Sequence, residues 1–214
     1  MPSDPLEIVA QGYDAAAAEY AQWITTSVTD LGRTKYQERF CDLLSEGSTV
    51  LELGCGGGGP TTERLAERFA LTGIDISATQ IARARDRVPA ATFVHEDMTL
   101  ATFAPASFDG AAAFYSLIHL RYGELPAMLA RVSSWLRGGG VFVASLSARG
   151  ESGEHFAADW LAGAPMYWSG YPLPETAQFF AEGGLTIVES SVETNIEDGQ
   201  PAPFLWVIAT KPMP

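Results

Sequence analysis

The segment Val50-Leu-Glu-Leu-Gly-Cys-Gly-Gly-Gly-Gly59 constrains this chain more than any other. Its start lies in a short apolar run, Thr49 to Leu53, that reads as a buried strand. The glycines permit a tight turn and let a ligand approach the backbone closely. Pro60 then sits well in the first turn of a helix expected to run to Phe69. A second strand, Ala70 to Ile74, ends at Asp75, about 20 residues after Gly54; a carboxylate placed there can accept from both ribose hydroxyls.

The same alternation recurs downstream. Ser77 to Val88 reads as a helix with Ser77 as its N-cap, Thr92 to His95 as a third strand and Phe108 to Tyr115 as a fourth. Gly123 to Leu136 reads as a helix, Gly138 to Gly140 as a turn and Val141 to Leu146 as a fifth strand. Upstream, residues 5–46 read as helical with a break near Ile24 to Thr29. Tyr13, Ala17 and Tyr20 share one helical face there, and Tyr36, Phe40, Leu43 and Leu44 another. Residues 147–172 read as irregular, and Pro174 to Glu182 as a helix stopped by Gly183 and Gly184. Leu185 to Glu193 and Phe204 to Thr210 read as a final hairpin joined by a polar loop. Short strands alternating with helices predict a doubly wound, mostly parallel α/β sheet, with its ligand beyond the carboxyl ends of the strands where strand order reverses.

Two cofactor classes fit a glycine turn with an acidic partner. Gly54, Gly56 and Gly59 also spell the G-x-G-x-x-G of nicotinamide dinucleotide enzymes. Three features oppose that reading. Glu52 lies inside the first strand, where a carboxylate is costly unless it meets a partner such as a cationic amino-acid ligand. A long helical stretch precedes the motif, whereas dinucleotide domains often begin with the strand. Asp97 follows the third strand in His95-Glu-Asp-Met98, where it can accept from an adenine amino group while Met98 packs on the ring. His95 itself reads as structural.

Together these motifs resemble those of the class I S-adenosylmethionine (SAM)-dependent methyltransferases of small-molecule type, over nearly the whole chain. Val50 to Gly58 is similar to the family's first motif, Leu71 to Ser77 to its second, and Glu96 to Met98 to its adenine-contacting motif. Ser107 to Tyr115 is similar to the fourth strand, and Leu136-Arg-Gly-Gly-Gly140 to the turn before the fifth, with Arg137 where the family usually has proline. The resemblance implies a Rossmann-like methyltransferase fold: a seven-stranded, mostly parallel sheet with its last strand antiparallel and N-terminal lid helices. It implies one domain over 1–214, comprising a helical lid (1–46), a SAM-binding core (47–146), a substrate cap (147–173) and a C-terminal helix and hairpin (174–214). It implies SAM as cofactor, with S-adenosylhomocysteine (SAH) as product, held by Glu52, Gly54, Cys55, Gly56, Asp75, Ile76, Gln80, Asp97, Met98, Phe114 and His119. Tyr13 and Tyr20 either cover that cofactor or pack as core at helical spacing.

Methyl transfer from a sulfonium is an in-line displacement, so the protein mainly aligns a nucleophile and excludes water. His119, just past the fourth strand, is the candidate general base; the competing readings are a structural bond to a backbone carbonyl or a wall of the cofactor pocket. Tyr115 is the second catalytic candidate, orienting the acceptor or packing against the methyl donor. His155, Trp160, Met166 and Trp168 lie in an aromatic-rich segment expected to cap the acceptor, with Tyr115 as a further contact. Phe204, Leu205 and Trp206 read as core, Glu193, Glu197 and Asp198 as solvated, Cys41 as core and Cys55 as a small spacer in the loop.

The expected reaction is methylation of a small-molecule O, N or C nucleophile, of the kind met in secondary metabolism. The alternatives are a SAM-binding non-methylating enzyme or regulatory module of the same fold. A formal net charge of −13 argues against a nucleic-acid partner and otherwise serves solubility. Two cysteines without metal-ligand spacing fit a reducing cytoplasm and no metal. No signal-like start and no apolar run near the ~20 residues of a membrane span occur. The expectation is a cytoplasmic monomer or homodimer.

Overall fold

The computed structural model describes residues 4–150 and 152–213; the outermost residues of the expected 1–46 and 174–214 segments, and Glu151 within 147–173, lie outside the described residues. Asp4 caps helix α1 (Pro5–Ala15) by accepting from the Leu6 amide, with Pro5 in the first turn. The chain breaks at the buried Ala16, continues as α2 (Ala17–Thr26), and passes through a two-residue strand β1 (Val28–Thr29). Asp30 caps α3 (Leu31–Leu43) through the Arg33 amide. The helical stretch therefore breaks at residue 16 as well as near residues 27–30.

The core alternates as the sequence predicts: β2 (Thr49–Leu53), α4 (Pro60–Arg68), β3 (Ala70–Asp75), α5 (Ala78–Arg87), β4 (Thr92–His95) and β5 (Phe108–Ala113). A single 3-10 turn at Leu117–His119, α6 (Leu125–Trp135) and β6 (Leu136–Ser147) follow. Ser77 caps α5, its hydroxyl accepting from the Gln80 amide. The remaining elements are β7 (Gly153–Leu161), β8 (Ala164–Gly170), α7 (Leu173–Glu182), β9 (Thr186–Glu197) and β10 (Gln200–Thr210).

The main sheet runs β1-β9-β10-β6-β5-β2-β3-β4. Strands β4, β3, β2, β5 and β6 pair parallel, and β10 lies antiparallel between β6 and β9. This is the doubly wound, mostly parallel sheet with one antiparallel strand near its end; the short β1 adds an eighth strand at the edge beside β9. Alternation along β2 sorts the layers. Leu51 and Leu53 join Ala111, Ala113 and Phe142 against Leu129 of α6 and Phe180 of α7. Val50 turns the other way, with Ala112, Val143 and Trp206, onto Tyr36 and Phe40 of α3 and Leu65 of α4.

The segment expected to be irregular is instead an antiparallel hairpin, β7 with β8, forming its own two-stranded sheet. It reverses at Ala162-Gly163, both with positive φ (52° and 74°), a left-handed pair that matches strand twist. The β9–β10 hairpin reverses the same way at Asp198-Gly199 (φ 49° and 76°), so the expected polar loop is a two-residue turn. Helix α1 lies on β8 at Gly12, where a Cβ would stand 2.3 Å from the Pro165 carbonyl oxygen.

A second close approach yields a test. A Cβ on Gly32 of α3 would lie 2.2 Å from Nε1 of the fully buried Trp206. Glycine to alanine within a helix ordinarily stabilises by up to ~1 kcal/mol. Here overpacking reverses the sign, and Gly32→Ala should lower the urea-unfolding free energy by about 1–3 kcal/mol. A neutral or stabilising result would mean that α3 rides freely on Trp206.

Candidate active site

Strands β2 and β5 are neighbours from which the chain departs in opposite directions, so their carboxyl ends form the switch point of the sheet. The two ends are stitched together: Ser116 donates from Oγ to the Leu53 carbonyl at 2.6 Å. Gly54 turns there with φ +74°, and a Cβ on it would stand 2.3 Å from that of Ser116, so the position demands glycine. Asp75, at the end of β3, clamps the loop. Its Oδ2 accepts from the Gly56 amide at 2.8 Å and its Oδ1 from the Ser77 amide at 2.9 Å. Burial raises the Asp75 carboxyl above its ordinary range, and the two amides partly offset that. Ser77 in turn donates to Asp14 of α1 at 2.6 Å, fastening the N-terminal helix over the loop.

A crevice of about 70 Å³ opens at this switch point. Gly54, Gly56 and Asp75 form one end, with open space where a Gly56 side chain would stand. Ile76, Gln80, Asp97 and Met98 line it beyond Asp75, and Phe114, Tyr115 and His119 come from the end of β5. Tyr13 and Tyr20 cover it from α1 and α2, their rings 5.1 Å apart edge to face. Asp97 uses Oδ1 on the amide and hydroxyl of Thr99, an ordinary turn contact, while still facing the crevice. His95 contacts the Ile76 carbonyl, as a structural histidine would.

Three expected site residues do not line the crevice or the cavity beside it. Glu52 points to the α4 face of β2, because strand alternation sends it opposite to Leu51 and Leu53; there it accepts from the Thr62 hydroxyl at 3.1 Å, and Oε2 has no partner among the described residues. Cys55 turns inward among Ile81, Ala84, Val88 and Phe93, and burial raises its thiol well above the ordinary range. Met166 is fully buried with Ile8, Val9 and Tyr167 where β8 meets α1.

Beside the crevice lies a larger cavity of about 350 Å³. His155, Trp160 and Trp168 line it as expected, and Tyr13, Tyr20, Tyr115 and His119 line both spaces. The sequence reading missed Trp23, Arg33, Arg149 and Asn195 and took Glu197 for a solvated side chain; these five line the cavity, as do Phe156 of the aromatic-rich segment and Phe204, which also packs against the core. Asp30 and Arg33 carried a signal in the spacing of a helix cap, but nothing local to β9 and β10 marks Asn195, Glu197 and Phe204 as sharing a wall with α2.

His119 is buried with both ring nitrogens engaged. Nδ1 lies 2.7 Å from the Tyr167 carbonyl, which can only accept, so Nδ1 carries the proton. Nε2 is therefore bare and accepts from the Tyr13 hydroxyl at 2.9 Å. Burial holds its pKa down at about 4. Tyr115 follows β5 with φ +58°, a strained conformation for a residue with a side chain. Its hydroxyl donates to Asp30 at 2.6 Å and accepts from Asn195 at 3.0 Å, and burial raises its pKa far above the ordinary range.

The buried groups imply a pH dependence. Burial pushes Glu52 up to about 8 from 4.5. A carboxyl raised in the folded state binds more protons folded than unfolded, so its contribution is complete below pH 4.5 and lost as the pH rises through about 8. His119, lowered from 6.5 to about 4, has the opposite slope between those values. The two oppose each other between pH 4.5 and 6.5, and between 6.5 and 8 only the Glu52 slope remains. Unfolding free energy should fall by about 2 kcal/mol over that upper window, and Glu52→Gln should largely flatten the fall. Equal slopes in urea titrations of the two proteins would show that Glu52 ionises at no cost.

Residues 50–140 match the family model described as "Methyltransferase domain". The trans-aconitate 2-methyltransferase of Paracidovorax citrulli (strain AAC00-1) is 36% identical over 116 residues, 52% of this chain and 44% of that protein. The chain thus spans less than half the length of that curated relative. Among solved structures, a 1,6-didemethyltoxoflavin-N1-methyltransferase from Burkholderia thailandensis, with bound 1,6-didemethyltoxoflavin and S-adenosylhomocysteine, superposes with a TM-score of 0.73 at 19% identity, covering 99% of this chain and 92% of that one. The [4+2]-cyclase SpnF superposes with the same TM-score of 0.73 at 16% identity, covering 96% and 95%. The match gives residues 50–140 a methyltransferase domain, and the strand order, with the glycine turn and its Asp75 clamp at the switch point, gives the chain the fold of the solved SAM-dependent methyltransferases.

Proposed function

We propose that the protein transfers a methyl group from SAM to a small-molecule acceptor held in the larger cavity. The observation that carries this is the junction: the glycine-loop crevice and the aromatic-walled cavity share Tyr13, Tyr20, Tyr115 and His119 as walls. The donor set suits an adenosyl amino acid. Asp75 keeps free lone pairs for ribose hydroxyls, Asp97 and Met98 suit the adenine, and the open space at Gly56 suits the amino-acid arm. Helices α1 and α2 serve as lid and the β7–β8 hairpin as cap. Bound there, the cofactor supplies a methyl group on a sulfonium, an electrophile that needs no activation by the protein.

The protein's own part is alignment and exclusion of water. His119 is a positioning residue in this reading: with Nε2 taken by Tyr13 and its pKa at about 4, it does not deprotonate an alcohol or phenol at neutral pH. The four shared walls thus favour an acceptor whose lone pair is available without proton removal. A specific observation keeps a second reading open, catalysis without methyl transfer: the fold superposes on a cyclase over 96% of this chain. Two free buried thiols fit a cytoplasmic setting, and among the described residues no helix is long and apolar enough to cross a membrane. We assign no nucleic-acid partner, in keeping with the net charge of −13, and a monomer or homodimer as the working state.

Calorimetric titration should show micromolar binding of SAM and SAH and none of NAD. Asp75→Asn should weaken both adenosyl ligands by about tenfold or more. SAH release on addition of an acceptor separates methyl transfer from the second reading. No binding of either adenosyl ligand at millimolar concentration would end both.

A further inference from the structure

The acceptor cavity carries an anchor that the methyl-transfer reading alone does not require. In a chain of net charge −13, the Lys and Arg residues lining this cavity are Arg33 and Arg149, against one lining carboxylate, Glu197. Arg33 is held from behind. Asp30 accepts from its amide and from its Nε, both at 2.8 Å, and the Tyr115 hydroxyl completes the Asp30 carboxylate at 2.6 Å. The guanidinium lies over the Tyr115 ring, 4.9 Å from its centroid. These contacts fix the plane of the fork through its Nε edge. The two terminal amino groups have no hydrogen-bond partner among the described residues, and Arg33 faces the cavity. An oriented guanidinium with its outer edge free is the geometry that receives a carboxylate bidentately.

The other walls define the body of the ligand. Trp23, Trp160, Trp168, Phe156 and Phe204 surround the same space, which suits a flat, apolar framework. Asn195, almost wholly buried on this wall, spends Nδ2 on the Tyr115 hydroxyl and leaves Oδ1 without a partner among the described residues. A donor on the ligand would satisfy it.

We infer that the acceptor is a planar organic acid whose carboxylate sits on the free edge of Arg33 while its apolar body lies among the tryptophans of the cap and lid. The inference rests on the reading of this cavity as the acceptor site. Asp30, Tyr115 and Arg33 then act as one unit, with Asp30 and Tyr115 positioning the fork and Arg33 touching substrate.

The test compares cinnamate with its neutral isostere cinnamamide on SAH-saturated protein, reading quenching of tryptophan fluorescence. Cinnamate should bind at least about tenfold more tightly than the amide. Arg33→Gln should erase that preference while leaving the amide and SAH affinities in place. Arg33→Lys, which keeps a charge beside Asp30 but loses the fork, should retain only part of it. Equal binding of acid and amide to the unaltered protein, equal loss of both in Arg33→Gln, or no binding of cinnamate at millimolar concentration would overturn the inference. Because SAH binding is measured on the same samples, its loss in the unaltered protein would strike the methyltransferase reading instead.

Discussion

His119 joins three pieces of chain that share no strand ladder. Its own 3-10 turn leaves β5, Nδ1 donates to the Tyr167 carbonyl in β8, and Nε2 accepts from Tyr13 in α1. The carbonyl fixes the tautomer, and the tautomer fixes the direction of the Tyr13 bond. Protonation of Nε2 would turn an acceptor into a second donor facing a hydroxyl that now donates. The depressed pKa therefore keeps helix, hairpin and sheet in one register at neutral pH, and the wall between crevice and cavity is assembled from just these pieces.

The backbone is strained at the same place. Tyr115 adopts φ +58°, at a cost of order 1–3 kcal/mol for a residue with a side chain. The surroundings over-determine it: its amide donates to Ser145 in β6 at 2.7 Å, its hydroxyl is held by Asp30 and Asn195, and its ring meets Phe204 and Trp206. The backbone thus turns out of the sheet where strand order reverses and presents one side chain to both spaces. A regular strand continuing from Ala113 would have buried that position in the sheet.

The sequence revealed what local rules govern. Strand, glycine turn, helix and Asp75 follow one another within a short span, and the Ser77 cap, the Pro60 first turn and the parallel core were legible for that reason. What was not legible depends on distant packing. Aromatic residues and glycines between 147 and 172 disguised a hairpin whose partner surface is α1, and the Asp198-Gly199 reversal was hidden in a polar stretch despite being a favoured two-residue turn. Most residues expected on the glycine-loop side line the crevice, because they follow strand ends. Glu52 was misplaced because the period-two alternation, not proximity in sequence, decides which face a side chain takes. Arg33, Asn195 and Glu197 come together only when α3 packs against β9 and β9 pairs with β10.

The crevice also sets a condition on entry. At about 70 Å³ it is well below the ~300 Å³ at the small end of sites for small molecules. Tyr13 and Tyr20 line it from α1 and α2, so entry of the proposed cofactor calls for these helices to withdraw. The polar contacts to be given up are Tyr13 with His119, Asp14 with Ser77 and the Thr79 amide, the Arg121 fork on Asp4 at the start of α1, and Trp23 with Asp198. Each contributes on the order of 1 kcal/mol net. The apolar seal of Ile8 and Val9 on Met166 and Tyr167 is the larger part, and it lies on the hairpin rather than on the sheet. Helices α1 and α2 can therefore part from the hairpin, which His119, Leu120 and Tyr122 hold to the core, without exposing the clusters under α3, α6 and α7.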